Sequence, residues 1–186
     1  MNLRAVLLLA ISSAACAPVA SLRAPYSFPE ERRFELGGGV ASLGKRPYVE
    51  ESTQFTGQVW GTYQPRPWLA VSAIGAFDDS AAAGGLAARV HALRSDRLAL
   101  SPEVEAGYAW VATSLGLAAR VFEHNWLYAS PRVGNLGSAW TVFIPVGVNL
   151  ELYRGLGVRG EASLSYAELK YYNLRRHFAA AVFYQF

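Results

Sequence analysis

From residue 33 onward, apolar and polar residues change places at every second position. That is the period of a strand with one wet and one dry face, and no stretch holds the 3.6-residue repeat of a helix. Strands are predicted over Phe34–Leu43, Thr53–Tyr63, Trp68–Phe77, Leu86–Leu93, Leu98–Trp110, Ser114–Phe122, Trp126–Val133, Ala139–Tyr153, Leu156–Tyr166 and His177–Phe186. This gives about ten strands, or eight if the segments between Trp110 and Gly134 merge. In Ala139–Tyr153, Trp140, Val142, Ile144, Val146, Val148, Leu150 and Leu152 share one face, against Thr141, Phe143, Pro145, Gly147, Asn149 and Glu151. Leu156–Tyr166 and Leu98–Trp110 divide in the same way. The apolar faces end in aromatics, with Tyr108, Trp110, Trp140 and Tyr166 at one level and Tyr63, Tyr184 and Phe186 at the other.

Connections alternate in length. Gln64–Pro67, Arg94–Arg97, Glu123–Asn125 and Arg154–Gly155 read as tight turns, whereas Gly44–Ser52, Asp78–Gly85 and Glu168–Arg176 are longer. Short turns on one side and longer loops on the other are the habit of membrane barrels, with the turns facing the periplasm. Gly37–Gly39, inside the first strand, leaves room for a bend or for a bulky neighbour.

Composition supports a membrane barrel over a bundle of spanning helices. The chain is 52% apolar and 17% charged. Yet no run past the start approaches the ~18–20 apolar residues a spanning helix needs. Apolar content dispersed at alternate positions fits strands that face lipid on one side and a lumen on the other. The net charge of +3 is too small and scattered for a nucleic-acid surface.

The polar faces gather Arg89, His91, Glu103, Glu105, Arg120, Arg132, Glu151, Arg159 and Glu161. A charge on a lipid face costs ~2–4 kcal/mol at mid-membrane, so these residues are assigned to the interior. There they are expected to pair, because an unpaired buried ion is costly. The expected interior is plugged by Arg–Glu pairs.

The start reads as an export signal: Arg4, an apolar stretch Ala5–Ile11 and small residues Ser12–Cys16. Ser13-Ala14-Ala15-Cys16 resembles a bacterial lipobox, with Ser13 where leucine is usual, which makes Cys16 the candidate lipidation residue. Ordinary signal-peptidase cleavage at Ala15-Cys-Ala17 or Pro18-Val-Ala20 is the alternative. The resulting division is a signal peptide over 1–15, a periplasmic linker over 16–32 and a barrel over 33–186. A lone cysteine excludes an internal disulfide.

No reaction is legible. Nucleophile elbow, phosphate loop and metal spacing are all missing from the sequence, and His91, His124 and His177 read as structural residues. The expectation is a protein that is not an enzyme and carries no cofactor or metal.

The last strand says most. Phe178, Ala180, Val182, Tyr184 and Phe186 lie on one face, and the sequence stops on the aromatic. Phe178, Val182, Tyr184 and Phe186 resemble the C-terminal assembly signal of bacterial outer-membrane β-barrels, and the architecture resembles small barrels of the OmpA/OmpX type. The resemblance implies an all-β, closed, antiparallel up-and-down barrel in the outer membrane of a Gram-negative bacterium, folded by the barrel-assembly machinery. Its expected partners are outer-membrane lipids and lipopolysaccharide, the latter through the basic, tyrosine-bearing loop Glu168–Arg176. No nucleic acid is expected, and the state is a monomer. The functional expectation is a structural or surface-interaction role. Two alternatives stand beside it: a narrow channel, and a lipid-anchored, lipocalin-like ligand carrier, whose Gly-x-Trp spacing Gly57-Gln-Val-Trp60 does not reproduce.

Overall fold

The computed structural model describes residues 20–43, 54–78, 81–108, 110–136, 139–167 and 174–186. Twelve strand segments lie in them: β1 (Phe34–Leu43), β2 (Gln54–Arg66), β3 (Leu69–Phe77), β4 (Ala82–Val90), β5 (Leu93–Arg94), β6 (Leu98–Gly107), β7 (Trp110–Phe122), β8 (Asn125–Ala129), β9 (Arg132–Leu136), β10 (Ala139–Tyr153), β11 (Leu156–Ala167) and β12 (Leu174–Gln185). They make ten staves, because β5 continues β4 along β6 and because β8 and β9 share the same two neighbours, β7 and β10. Every pairing is antiparallel between sequence neighbours, and β12 returns to pair with β1, from Glu35↔Gln185 to Leu43↔His177. The sheet therefore closes, and no stave is left as an unpaired edge.

Both interrupted staves have local causes. Between β8 and β9, Pro131 has no N–H to give the ladder. The pairing keeps its register across the proline, with Ser130 N–H donating to the Pro145 carbonyl (3.0 Å) and the Pro131 carbonyl accepting from Leu115 (3.0 Å). Between β4 and β5 the register against β6 shifts by one residue, from Arg89↔Glu103 to Leu93↔Leu100, while His91 N–H continues the pairing with the other neighbour by donating to the Trp68 carbonyl (2.8 Å). The expected single strand Trp126–Val133 is thus two segments, and the count is ten, not eight.

Short connections gather at one end, which also holds Phe34 and Phe186; this is the turn end. The Arg154–Gly155 turn there takes positive φ at both residues (43° and 92°), the mirror-image turn that matches strand twist. At the opposite, loop end, strands run further than the pattern suggested. β4 begins at Ala82, before the expected Leu86, and β12 at Leu174, before the expected His177. The connection after β3 is accordingly only four residues long.

The outward face is apolar on stave after stave: Leu86 is 69% exposed, Phe178 64% and Val146 55%. Phe34 stacks on Tyr63 (4.6 Å between centroids) and on Phe186 (5.6 Å), and Tyr184 stacks on Phe186, an aromatic cluster at the turn end. Trp110 departs from the expected outer set. Strand β6 stops at Gly107, so parity restarts after the turn, and Trp110 is buried, lying over Gly85 and Gly107.

Within the first strand, Gly37 makes room for Trp60, whose ring occupies the place a Cβ would take. Gly37→Val is expected to force that ring aside and cost about 1–3 kcal/mol, the usual penalty of overpacking. Urea unfolding of the refolded barrel checks this.

Candidate functional site in the barrel lumen

The lumen is filled from two sources, side chains of the wall and an irregular strap. Residues 20–28, part of the expected periplasmic linker over 16–32, lie inside the barrel. Ala20, Leu22, Arg23, Ala24, Tyr26 and Phe28 are each at most 5% exposed. Two apolar clusters hold the strap. Ala20 and Leu22 pack with Ala41, Trp60, Phe143, Ala181 and Phe183. Nearer the turn end, Ala24, Tyr26 and Phe28 pack with Ala99, Ala118 and Tyr128, and Tyr26 stacks on Trp126 at 4.6 Å. Pro25 sits over Gly116, where a Cβ would collide with it. The strap leaves by the turn end: Phe28 N–H donates to Gln64 (3.0 Å), and Ser27 Oγ donates to the Pro67 carbonyl (3.0 Å).

Charge along the lumen is organised by the same segment. Arg23 Nη2 donates to Glu105 (2.6 Å) and to Glu103. Arg89 pairs with the other oxygen of Glu103 (2.5 Å), and Arg132 with the other oxygen of Glu105. The result is an alternating row, Arg89, Glu103, Arg23, Glu105, Arg132, with the strap's arginine at its centre. All five residues are buried.

A second group centres on Glu35. Its carboxylate accepts Arg159 (2.6 and 3.0 Å), Trp60 Nε1 (2.8 Å) and Gln185 (2.8 Å). Arg159 also donates to Asn149 (2.6 Å) and to the strap carbonyl of Leu22 (2.7 Å), and it lies 4.2 Å from the Phe183 ring centroid. Glu161 forms the third group. It accepts the backbone N–H groups of Ser21 (3.1 Å) and Leu22 (3.3 Å) and the Tyr128 hydroxyl (3.1 Å).

Of the expected interior residues, Arg89, His91, Glu103, Glu105, Arg132, Arg159 and Glu161 are buried in the lumen. Arg120 is not: it is exposed at the turn end, donating to the carbonyls of Glu123 (2.8 Å) and Asp96 (3.1 Å). Parity is followed, but the last residues of β7 stand beyond the closed part of the lumen. Glu151 sits at the turn-end mouth, where Arg32 grips it with two nitrogens (2.8 and 2.9 Å). Those hydrogen bonds raise the pKa of Arg32. Arg23, Arg32 and Glu35 were absent from the expected network. Glu35 was visible as the polar alternate of Phe34 and Leu36, whereas the two arginines lay in the supposed linker.

The histidines divide. His91 Nδ1 contacts Ser101 Oγ (2.8 Å), and His177 Nε2 contacts Ser165 Oγ (2.6 Å), all four residues being buried. No acidic side chain is hydrogen-bonded to His177 among the described residues, so this serine–histidine pair lacks the acidic third member that orients a catalytic imidazole. His124 is exposed in a turn. No group of three or more metal-binding side chains occurs among the described residues. Residues 1–15, Cys16 and most of the loop Glu168–Arg176 fall outside the described residues.

No family model matches the chain, and no curated protein is similar to it in sequence. Solved structures are similar. The KdgM porin in complex with disordered oligogalacturonate aligns over 82% of this chain and 99% of its own, at 8% identity and a TM-score of 0.50. This chain has the fold of an outer-membrane β-barrel. Ail of Yersinia pestis, in complex with the heparin analogue sucrose octasulfate, aligns over 83% of this chain and 99% of its own (12% identity, TM-score 0.43). Neisserial surface protein A aligns over 82% and 97% (11% identity, TM-score 0.39). The likeness to KdgM carries the fold alone. The lumen of this barrel is filled, by side chains of its wall and by the chain's own strap.

Proposed function

We propose that the chain is an exported barrel of the Gram-negative outer membrane, sealed by its own N-terminal strap, with a structural or surface-interaction role. The observation that carries this reading is Arg23, held between Glu103 and Glu105 at the centre of the lumen. Barrels of about eight strands are filled by their side chains. Ten staves enclose more, and the strap occupies the difference. The apolar outer face suits acyl chains, and the aromatic cluster at Phe34, Tyr63, Tyr184 and Phe186 suits headgroup depth. In this reading the turn end is periplasmic, and the loops beyond β1 and β11 meet lipopolysaccharide. A lipocalin-like carrier would need Ile144 and Val146 inside; both point outward and are exposed.

In planar bilayers the refolded protein is expected to show no steady conductance, and an open-channel current from the intact chain would overturn the sealed reading. In cells it is expected in the outer-membrane fraction, with gel migration that changes on boiling. Recovery from the soluble periplasmic fraction, unshifted by heat, would refute the membrane placement.

The closing seam makes a further prediction. The Phe186 carbonyl accepts from Arg33 and Phe34 N–H (3.0 Å each), and Phe186 N–H donates to the Phe34 carbonyl (3.0 Å). Deleting Phe186 removes these bonds and a ring stacked on Phe34. Pulse-chase assays are expected to show slowed or lost appearance of the heat-modifiable band; normal assembly would count against Phe186 as part of an assembly signal.

A further inference from the structure

We propose that the chain is cut between Ala20 and Ser21 during export, and that the new α-ammonium of Ser21 docks on Glu161 inside the barrel. The inference rests on the exported-barrel reading above. Glu35, Glu103 and Glu105 each have a guanidinium within hydrogen-bond distance. Glu161 is buried like them, and its carboxylate accepts hydrogen bonds from two backbone N–H groups and a tyrosine hydroxyl. A buried carboxylate whose hydrogen bonds come from neutral donors gains from a cation in direct contact. The Ser21 nitrogen lies 3.1 Å from Oε1 of Glu161. Cleavage before Ser21 turns that nitrogen into an ammonium without moving it.

The sequence supplies the bond. Pro18-Val19-Ala20 places a small residue directly before it, one half of the A-x-A pattern of signal-peptide cleavage, with Pro18 where the other small residue is usual. Water is the co-reactant of the exporting cell's membrane endopeptidase: its oxygen joins the Ala20 carbonyl carbon as a carboxylate, the C–N bond breaks, and its two hydrogens complete the Ser21 ammonium. Ala20 is 4% exposed in the barrel, so the cut precedes barrel closure.

The test uses the full-length gene expressed in a Gram-negative host and the protein purified from outer membranes. The expected intact mass is that of unmodified residues 21–186. A chain beginning at acylated Cys16, or at any residue other than Ser21, overturns the assignment. Amine acylation then reads the docking. In the folded barrel the Ser21 α-amine is expected to react at least tenfold more slowly than after boiling, and several-fold faster once Glu161→Gln is introduced into a barrel that still shifts on heating. Equal labelling before and after boiling, or no response to Glu161→Gln, overturns the ion pair. Failure of the barrel reading would show itself separately, as protein that never becomes heat-modifiable whatever its first residue.

Discussion

Arg23→Ala is expected to destabilise the folded barrel by about 3–5 kcal/mol, the range seen when one member of a buried charge group is removed. Its guanidinium is the cation shared by Glu103 and Glu105. Without it the two carboxylates keep one arginine each, Arg89 and Arg132, and face one another across the vacated space. Relief through water is poor, because all of these groups are buried and the strap still fills the lumen. The measurement is urea unfolding of the refolded protein, followed by the heat-modifiable band. Two variants test the mechanism. Arg23→Lys is expected to recover most of the loss, since a single nitrogen, Nη2, makes both contacts. Adding Glu105→Gln to Arg23→Ala should also recover part, because it removes one of the uncompensated charges. Arg97→Ala, at an exposed turn, is expected to change stability by less than about 0.5 kcal/mol. Equal effects from Arg23→Ala and Arg97→Ala would show that the lumen is hydrated enough to screen the group.

This charge row shows where sequence reasoning reached and where it stopped. Period-two alternation located the staves well, and β10 runs from Ala139 to Tyr153 as expected, because a strand with lipid on one side and a lumen on the other has two unlike faces throughout. It misplaced Trp110, since alternation carries no information across a turn. It placed Arg120 inside because parity tells which way a side chain points, not where along the strand the lumen ends. The strap was missed for a different reason. In a lumen both of its faces are buried, so the alternation of Leu22, Ala24, Tyr26 and Phe28 with Ser21, Arg23 and Ser27 is not an inside–outside code. A charge balance held the remaining clue. With Arg120 and Glu151 at the turn end, the wall brings Arg89, Arg132 and Arg159 against Glu35, Glu103, Glu105 and Glu161. It is one cation short, and Arg23 of the strap provides it.

Deleting Ser21–Pro29 is therefore expected to open the barrel. The deletion leaves Arg32 on Glu151 and the β1–β12 seam intact, so closure of the sheet does not depend on the missing residues. It removes the backbone, the Tyr26 and Phe28 rings and Arg23 from the lumen at once. A wall of ten staves without its strap has a polar, water-accessible interior, because its lumen face carries Arg89, Glu103, Glu105, Arg132, Arg159 and Glu161. Discrete conductance steps are expected in planar bilayers where the intact protein gives none. The freed Glu103, Glu105 and Glu161 outnumber their remaining partners Arg89 and Arg132, so reversal potentials in a salt gradient should show a preference for cations. Adding Glu103→Gln and Glu105→Gln to the deletion is expected to weaken or reverse that preference while leaving the channel open. A strapless barrel that stays heat-modifiable and silent would mean that the wall's side chains close the lumen unaided, and that the strap stabilises the barrel without sealing it.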